Sequence, residues 1–86
     1  MTNREIAKIL RETAELYAME GVLFKPRAYE KVALGVEALD KEVKEIYKSE
    51  GKGGLMKIAG VGQGIAHHIE TLLSGKKFAE YERLKK

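Results

Sequence analysis

Cysteine is absent from the 86 residues, which excludes disulfides and every thiolate-based zinc site. Aspartate occurs once, at Asp40. No Asp-x-Asp pair is therefore present to hold the two metal ions of a phosphoryl-transfer centre. No apolar run approaches the roughly 20 residues that cross a bilayer. The N-terminus is charged from Arg4 onward and lacks the apolar stretch of a secretory signal. A thiol-free chain held by packing alone is expected to be cytoplasmic, without a membrane partner. Its length suits one domain over residues 1–86 and leaves no room for two. With 44% hydrophobic residues, one modest core is expected.

The charge is unevenly spread. Residues 1–50 hold 9 Lys/Arg against 10 Asp/Glu, a net of −1, whereas residues 51–86 hold 7 against 3, a net of +4; together they make the overall +3. The C-terminal part is thus where an anionic partner would be met, or where a lysine-rich surface is simply solvated.

The apolar residues recur at helical spacing, and no segment reads as a strand. Thr2-Asn3-Arg4-Glu5 has the form of a capping box. Ile6, Ile9, Leu10, Thr13, Leu16 and Tyr17 follow on one face, and Gly21 suits the left-handed residue that ends a helix over about residues 3–20. The single proline, Pro26, fits the first turn of a second helix carrying Tyr29, Val32, Ala33, Val36 and Leu39. Gly35 inside that helix costs about 1 kcal/mol against alanine, and close approach of a neighbouring helix is the expected compensation. Asp40 is the expected N-cap of a short third helix with Val43, Ile46 and Tyr47, closed by Gly51. Lys52-Gly53-Gly54 reads as a flexible break and Leu55 to Ile58 as a short helical segment. Ala59-Gly60-Val61-Gly62 reads as a tight turn, and Gln63 to Ser74 as a helix ended by Gly75. Phe78, Tyr81 and Leu84 indicate a last short helix. The fold class is all-α, a small bundle of about five to six short helices.

The informative stretch is the turn. Two glycines flank Val61, whose side chain is expected to enter the core. They permit positive φ and close backbone approach. The helix that follows begins at once, so its unpaired N–H groups point outward, where the helix dipole favours an anion. The amides of Gly60, Val61, Gly62, Gln63, Gly64, Ile65 and Ala66 are the candidate phosphate donors, with Lys57 before the turn and Lys76 and Lys77 after the helix adding charge. A phosphate held this way is recognised without reading a base. A dinucleotide fingerprint is excluded, because the residue three after Gly62 is Ile65 and no strand precedes the turn. No organic cofactor is expected. A ligand-free glycine connection remains the simpler structural alternative.

The spacing of Leu55, Ile58, Gly60, Val61, Gly62, Ala66 and Ile69 resembles the helix-hairpin-helix consensus. Further segments extend the likeness: Asn3 to Leu16, Phe24-Lys25-Pro26-Arg27-Ala28-Tyr29, Ser74-Gly75-Lys76 and Tyr81-Glu82-Arg83-Leu84. Together they resemble the N-terminal domain of the family X DNA polymerases, nearest to bacterial and archaeal members. The resemblance implies binding to the 5′-phosphate side of gapped DNA in base-excision repair. It also implies a monovalent cation, Na⁺ or K⁺, on the backbone carbonyls of Met56, Ile58 and Val61. Lys25 and Tyr29 match phosphate-pocket residues of that family, while Met56 and Gly64 stand where the pocket has lysines. His68 stands where the family's Schiff-base lysine belongs. Imidazole cannot form a Schiff base, so lyase activity is not expected of it, although His68 is a candidate phosphate contact. Lys31 is the remaining candidate amine. His67 and His68 lack the i, i+4 spacing of a helical metal pair and read as solvent-exposed. The chain ends near where the catalytic domains of such a polymerase would begin, so it reads as an excised domain or a free-standing relative. A helical protein-interaction module that has lost DNA binding is the alternative.

Overall fold

The computed structural model describes residues 1–75 and contains four α-helices. These are α1 (Asn3–Met19), α2 (Lys25–Glu37), α3 (Val43–Leu55) and α4 (Gln63–Leu73), with no strand among the described residues. The final helix expected on Phe78, Tyr81 and Leu84 lies outside them, as do Lys76 and Lys77. None of the described helices is long and apolar enough to cross a membrane.

The first helix starts as its sequence dictates. Thr2 Oγ1 accepts the Glu5 N–H at 3.2 Å, and Glu5 Oε1 accepts the Thr2 N–H at 2.8 Å. These bonds to the ionised form hold the Glu5 carboxyl below its usual range. The apolar stripe of α1 (Ile6, Leu10, Ala14, Tyr17) pairs along its length with Tyr29, Val32, Ala33 and Val36 of α2. Val43, Leu55, Ile58, Val61, Ile65, Ala66 and Ile69 complete one core.

The connection between α1 and α2 is strained. Phe24 has φ 71° and ψ −37°, and the Lys25 N–H donates to the Leu23 carbonyl two residues back at 2.9 Å. That is a γ-turn of the rare, strained hand. It leaves the Phe24 side chain 87% exposed.

The third helix departs from expectation at both ends. Asp40 does not cap it. Glu42 occupies the N-cap without a side-chain bond, and the Val43 N–H is taken by Asn3 Oδ1, 2.6 Å away on α1. Asn3 Nδ2 also donates to the Lys41 carbonyl at 2.8 Å, so one buried amide ties two helix starts together. Lys52-Gly53-Gly54 is helical rather than a break. The interruption falls on Gly51 alone (φ 67°, ψ −155°), after which one further turn runs to Leu55. That turn folds back on its own helix so closely that a Cβ on Gly54 would lie 2.6 Å from Glu50 Cβ and 3.0 Å from Ile46 Cγ2. Met56 to Ile58, expected to be helical, form turns instead. One kinked helix therefore replaces two expected ones, which brings the described count below the five to six anticipated.

Gly35 also behaves differently from expectation. What approaches it is the hairpin turn, not a helix. A Cβ there would sit 3.8 Å from the Ala59 carbonyl oxygen and 3.9 Å from Ile58 Cγ2, ordinary contact distances.

Candidate functional site

The turn between α3 and α4 is braced from within. Val61 donates its N–H to the Ile58 carbonyl at 3.0 Å, and the Val61 and Ile58 side chains are each buried to 7% exposure. Gly60 takes φ 85° and lies over α2, where a Cβ would meet Val32 Cγ2 at 3.4 Å. Gly62 and Gly64 are different. Gly62 is the N-cap of α4 with φ −102° and ψ −169°, a conformation open to any residue. A Cβ on Gly62 or on Gly64 would touch nothing within 4 Å. The three glycines thus divide into one that shapes the turn and two that leave the space before it clear.

The backbone donors divide in the same way. Ala66 gives its N–H to the Gly62 carbonyl at 2.9 Å and Val61 gives its own to Ile58, so neither is a donor to a ligand, contrary to the expectation for both. The N–H groups of Gly62, Gln63, Gly64 and Ile65 have no acceptor among the described residues, and no side chain caps α4. Gly62, Gln63 and Gly64 are exposed. The positive end of an eleven-residue helix therefore opens onto solvent with its donors unspent.

A cleft of about 400 Å³ runs between this helix start and α2. Gly62, Gly64, Ile65 and His67 line one side, and Lys25, Ala28 and Tyr29, with Tyr17 of α1, line the other. Lys25 is held there by its neighbour, its Nζ lying 4.8 Å from the centre of the Tyr17 ring. Lys25, Tyr29 and Gly64, separated in sequence, are brought together with the hairpin.

His68 is not. It is fully buried, and Nδ1 sits 3.3 Å from the Tyr29 hydroxyl, with the two rings 5.6 Å apart. Burial, and secondarily the charge of His67, push its pKa down to about 4. It is neutral near pH 7 and faces the core, which overturns the expectation of a solvent-exposed phosphate contact. The signal was in the spacing: Ile65, His68, Ile69 and Leu72 share one helical face, and His67, about 100° away, does not. His67, expected only to be solvent-exposed, is the histidine that reaches the cleft.

The remaining candidates lie further out. Lys57 pairs with Glu50 at 2.7 Å, which raises the Lys57 pKa and lowers that of Glu50. The stem of Lys31 runs beside Gly60, and Lys31 does not line the cleft. The carbonyl donors fit a monovalent cation in chemistry. Met56 is the C-cap of α3, where carbonyls lack helical partners, and the Ile58 oxygen retains a second lone pair beyond its bond to Val61. Among the described residues no group of three or more His, Cys, Asp or Glu is placed to hold a metal ion.

Set beside models of protein families, residues 1–78 match that of the helix-hairpin-helix domain. No curated protein matches the chain.

Proposed function

The chain belongs to the helix-hairpin-helix domain family, whose members generally bind DNA without regard to sequence, and from that premise we propose that it grips the phosphate backbone of gapped or 5′-phosphate-ended DNA. The observation that carries this reading is the uncapped start of α4, whose four N–H groups have no acceptor among the described residues, on the cleft that Lys25 also lines. Amides and an ammonium bind phosphate oxygens, which every sequence presents. Gly62 and Gly64 let a phosphate come up to the backbone, since neither has a side chain in the way.

Within this proposal Tyr29 acts through its ring and its tie to His68, forming the cleft wall and not donating to phosphate. Phe24, exposed and one residue before Lys25, offers a face on which an unpaired base can stack. A sodium or potassium ion on the Met56, Ile58 and Val61 carbonyls would add positive charge beside the turn. The resemblance of its segments to the N-terminal domain of family X polymerases supports reading it as a module of a DNA repair polymerase or as a free-standing relative. We read the binding role as non-catalytic, because the position that the likeness to family X assigns to a Schiff-base lysine is His68, which is buried and whose imidazole cannot form a Schiff base.

Fluorescence anisotropy with a gapped duplex tests the reading. Two to three neutralised phosphates give a slope of log affinity against log salt of about −2 to −3. Backbone amide signals of Gly62 to Ile65 should move on titration. Salt-independent binding, or none in low salt, would remove it.

A further inference from the structure

The hairpin turn has a second set of unspent donors, outside the cleft. Gly60 lies over two side chains of α2. One is the buried Val32; the other is Lys31, whose Cδ and Cγ would stand 3.6 and 3.7 Å from a Cβ on Gly60. The aliphatic stem of Lys31 therefore runs along the turn, while its ammonium, two bonds beyond Cδ, stays in water. No carboxylate pairs with Lys31 among the described residues, whereas Lys57, the lysine that precedes the turn, is held by Glu50 at 2.7 Å. Ala59 and Gly60 are exposed, and their N–H groups have no acceptor among the described residues.

We propose that Lys31 is a second phosphate-binding residue, which meets a further phosphate of the strand held at the start of α4. The inference rests on the reading of α4 as a phosphate site and adds the path that the strand takes over the turn. Gly60 and Gly62 are two residues apart, a span of about 7 Å at most. Phosphates of one strand advance by about 3.4 Å each along a duplex. A strand anchored on the amides of Gly62 to Ile65 and running over the turn therefore brings its next phosphate or two to Gly60 and Lys31.

The packed stem sets Lys31 apart from the other exposed lysines. Contact with the turn already restricts it, so less side-chain freedom is lost when the ammonium meets an anion. The contact is blind to sequence, since every nucleotide presents the same phosphate. Lys44 supplies the comparison. It is also exposed and in no ion pair among the described residues. Its charge acts on Glu5, in the first turn of α1, whereas the cleft is walled by Tyr17 near the other end of that helix.

The test measures affinity for a gapped duplex over a series of salt concentrations for the wild-type chain, Lys31→Met, Lys31→Arg and Lys44→Met. Methionine keeps an unbranched apolar stem against Gly60 and removes the charge. Lys31→Met should bind several-fold more weakly in low salt. Its slope of log affinity against log salt should be shallower by about 0.7–0.9, the counterion release of one phosphate. Lys31→Arg should restore both, and Lys44→Met should keep the wild-type slope. A wild-type slope in Lys31→Met overturns the contact and leaves the α4 site standing. An equal loss in Lys44→Met means that only net charge matters, and overturns it as well. Absence of salt-dependent binding by the wild-type chain removes the α4 site, and the second contact with it.

Discussion

Asn3 caps a helix that begins forty residues later, its Oδ1 accepting the Val43 N–H at 2.6 Å. The same side chain donates to the Lys41 carbonyl at 2.8 Å, and the Asn3 N–H meets Glu42 Oε1 at 3.2 Å. The start of α3 is thus held from α1, and the loop that precedes it supplies no side-chain cap. Asn3→Ala should lower unfolding stability by about 1–3 kcal/mol, since it removes a cap and orphans a buried donor. Urea unfolding reads this directly, and a change under about 0.5 kcal/mol would mean water takes over both bonds.

The buried His68 makes stability depend on pH. Its folded value of about 4 lies below the ordinary 6.5, so between those values the unfolded chain binds the extra proton. Stability should therefore fall as pH drops through this window, by on the order of 3 kcal/mol in total. Glu5, Glu37 and Glu50, held low by Thr2, Arg11 and Lys57, work in the same direction but only below the usual carboxylate range. The interval from pH 6.5 to 5 thus isolates the histidine. Urea midpoints over that interval should slope in the wild type and flatten in His68→Gln; parallel slopes would place the effect elsewhere.

Gly60 and Gly62 should separate folding from binding. Gly60→Ala places a Cβ at φ 85° and against Val32, so it should cost about 1–2 kcal/mol of stability. Gly62→Ala sits at φ −102° with open space around it and should leave stability within about 0.5 kcal/mol. Its methyl group nevertheless occupies the approach to the free amides, and DNA affinity should fall several-fold. Equal binding by wild type and Gly62→Ala would argue that phosphate does not come to this face.

Gly35→Ala should raise stability by about 0.5–1 kcal/mol, because the helix gains propensity and the added methyl meets only ordinary contacts with Ala59 and Ile58. A loss on thermal unfolding would show that the hairpin packs on α2 more tightly than these distances indicate.

Phe24→Gly should at least preserve the melting temperature. The φ of 71° suits glycine, which offsets the added entropy of the unfolded chain, and an 87% exposed ring contributes little to the core. If the ring stacks on a base, affinity for gapped DNA should drop by about 1 kcal/mol or more. Reduced stability with unchanged affinity would reverse the assignment.

Local chemistry determined much of this molecule by itself. The capping box at Thr2 and Glu5, the left-handed glycines at 21 and 75 and the proline in the first turn of α2 all follow from interactions within a few residues. So does the hairpin, whose glycine–apolar–glycine turn is a short-range pattern. Only tertiary packing decided the rest. The cap on Val43 comes from a residue forty positions away, and no local signal can displace Asp40 in its favour. Packing on α2 demands positive φ of Gly60, whereas Gly62 and Gly64 are left facing open space. The two histidines differ by one position on a helix, yet the core takes one and the cleft the other. A sequence records which groups can bond or carry charge; where the helices cross settles which of them remain unspent and facing water.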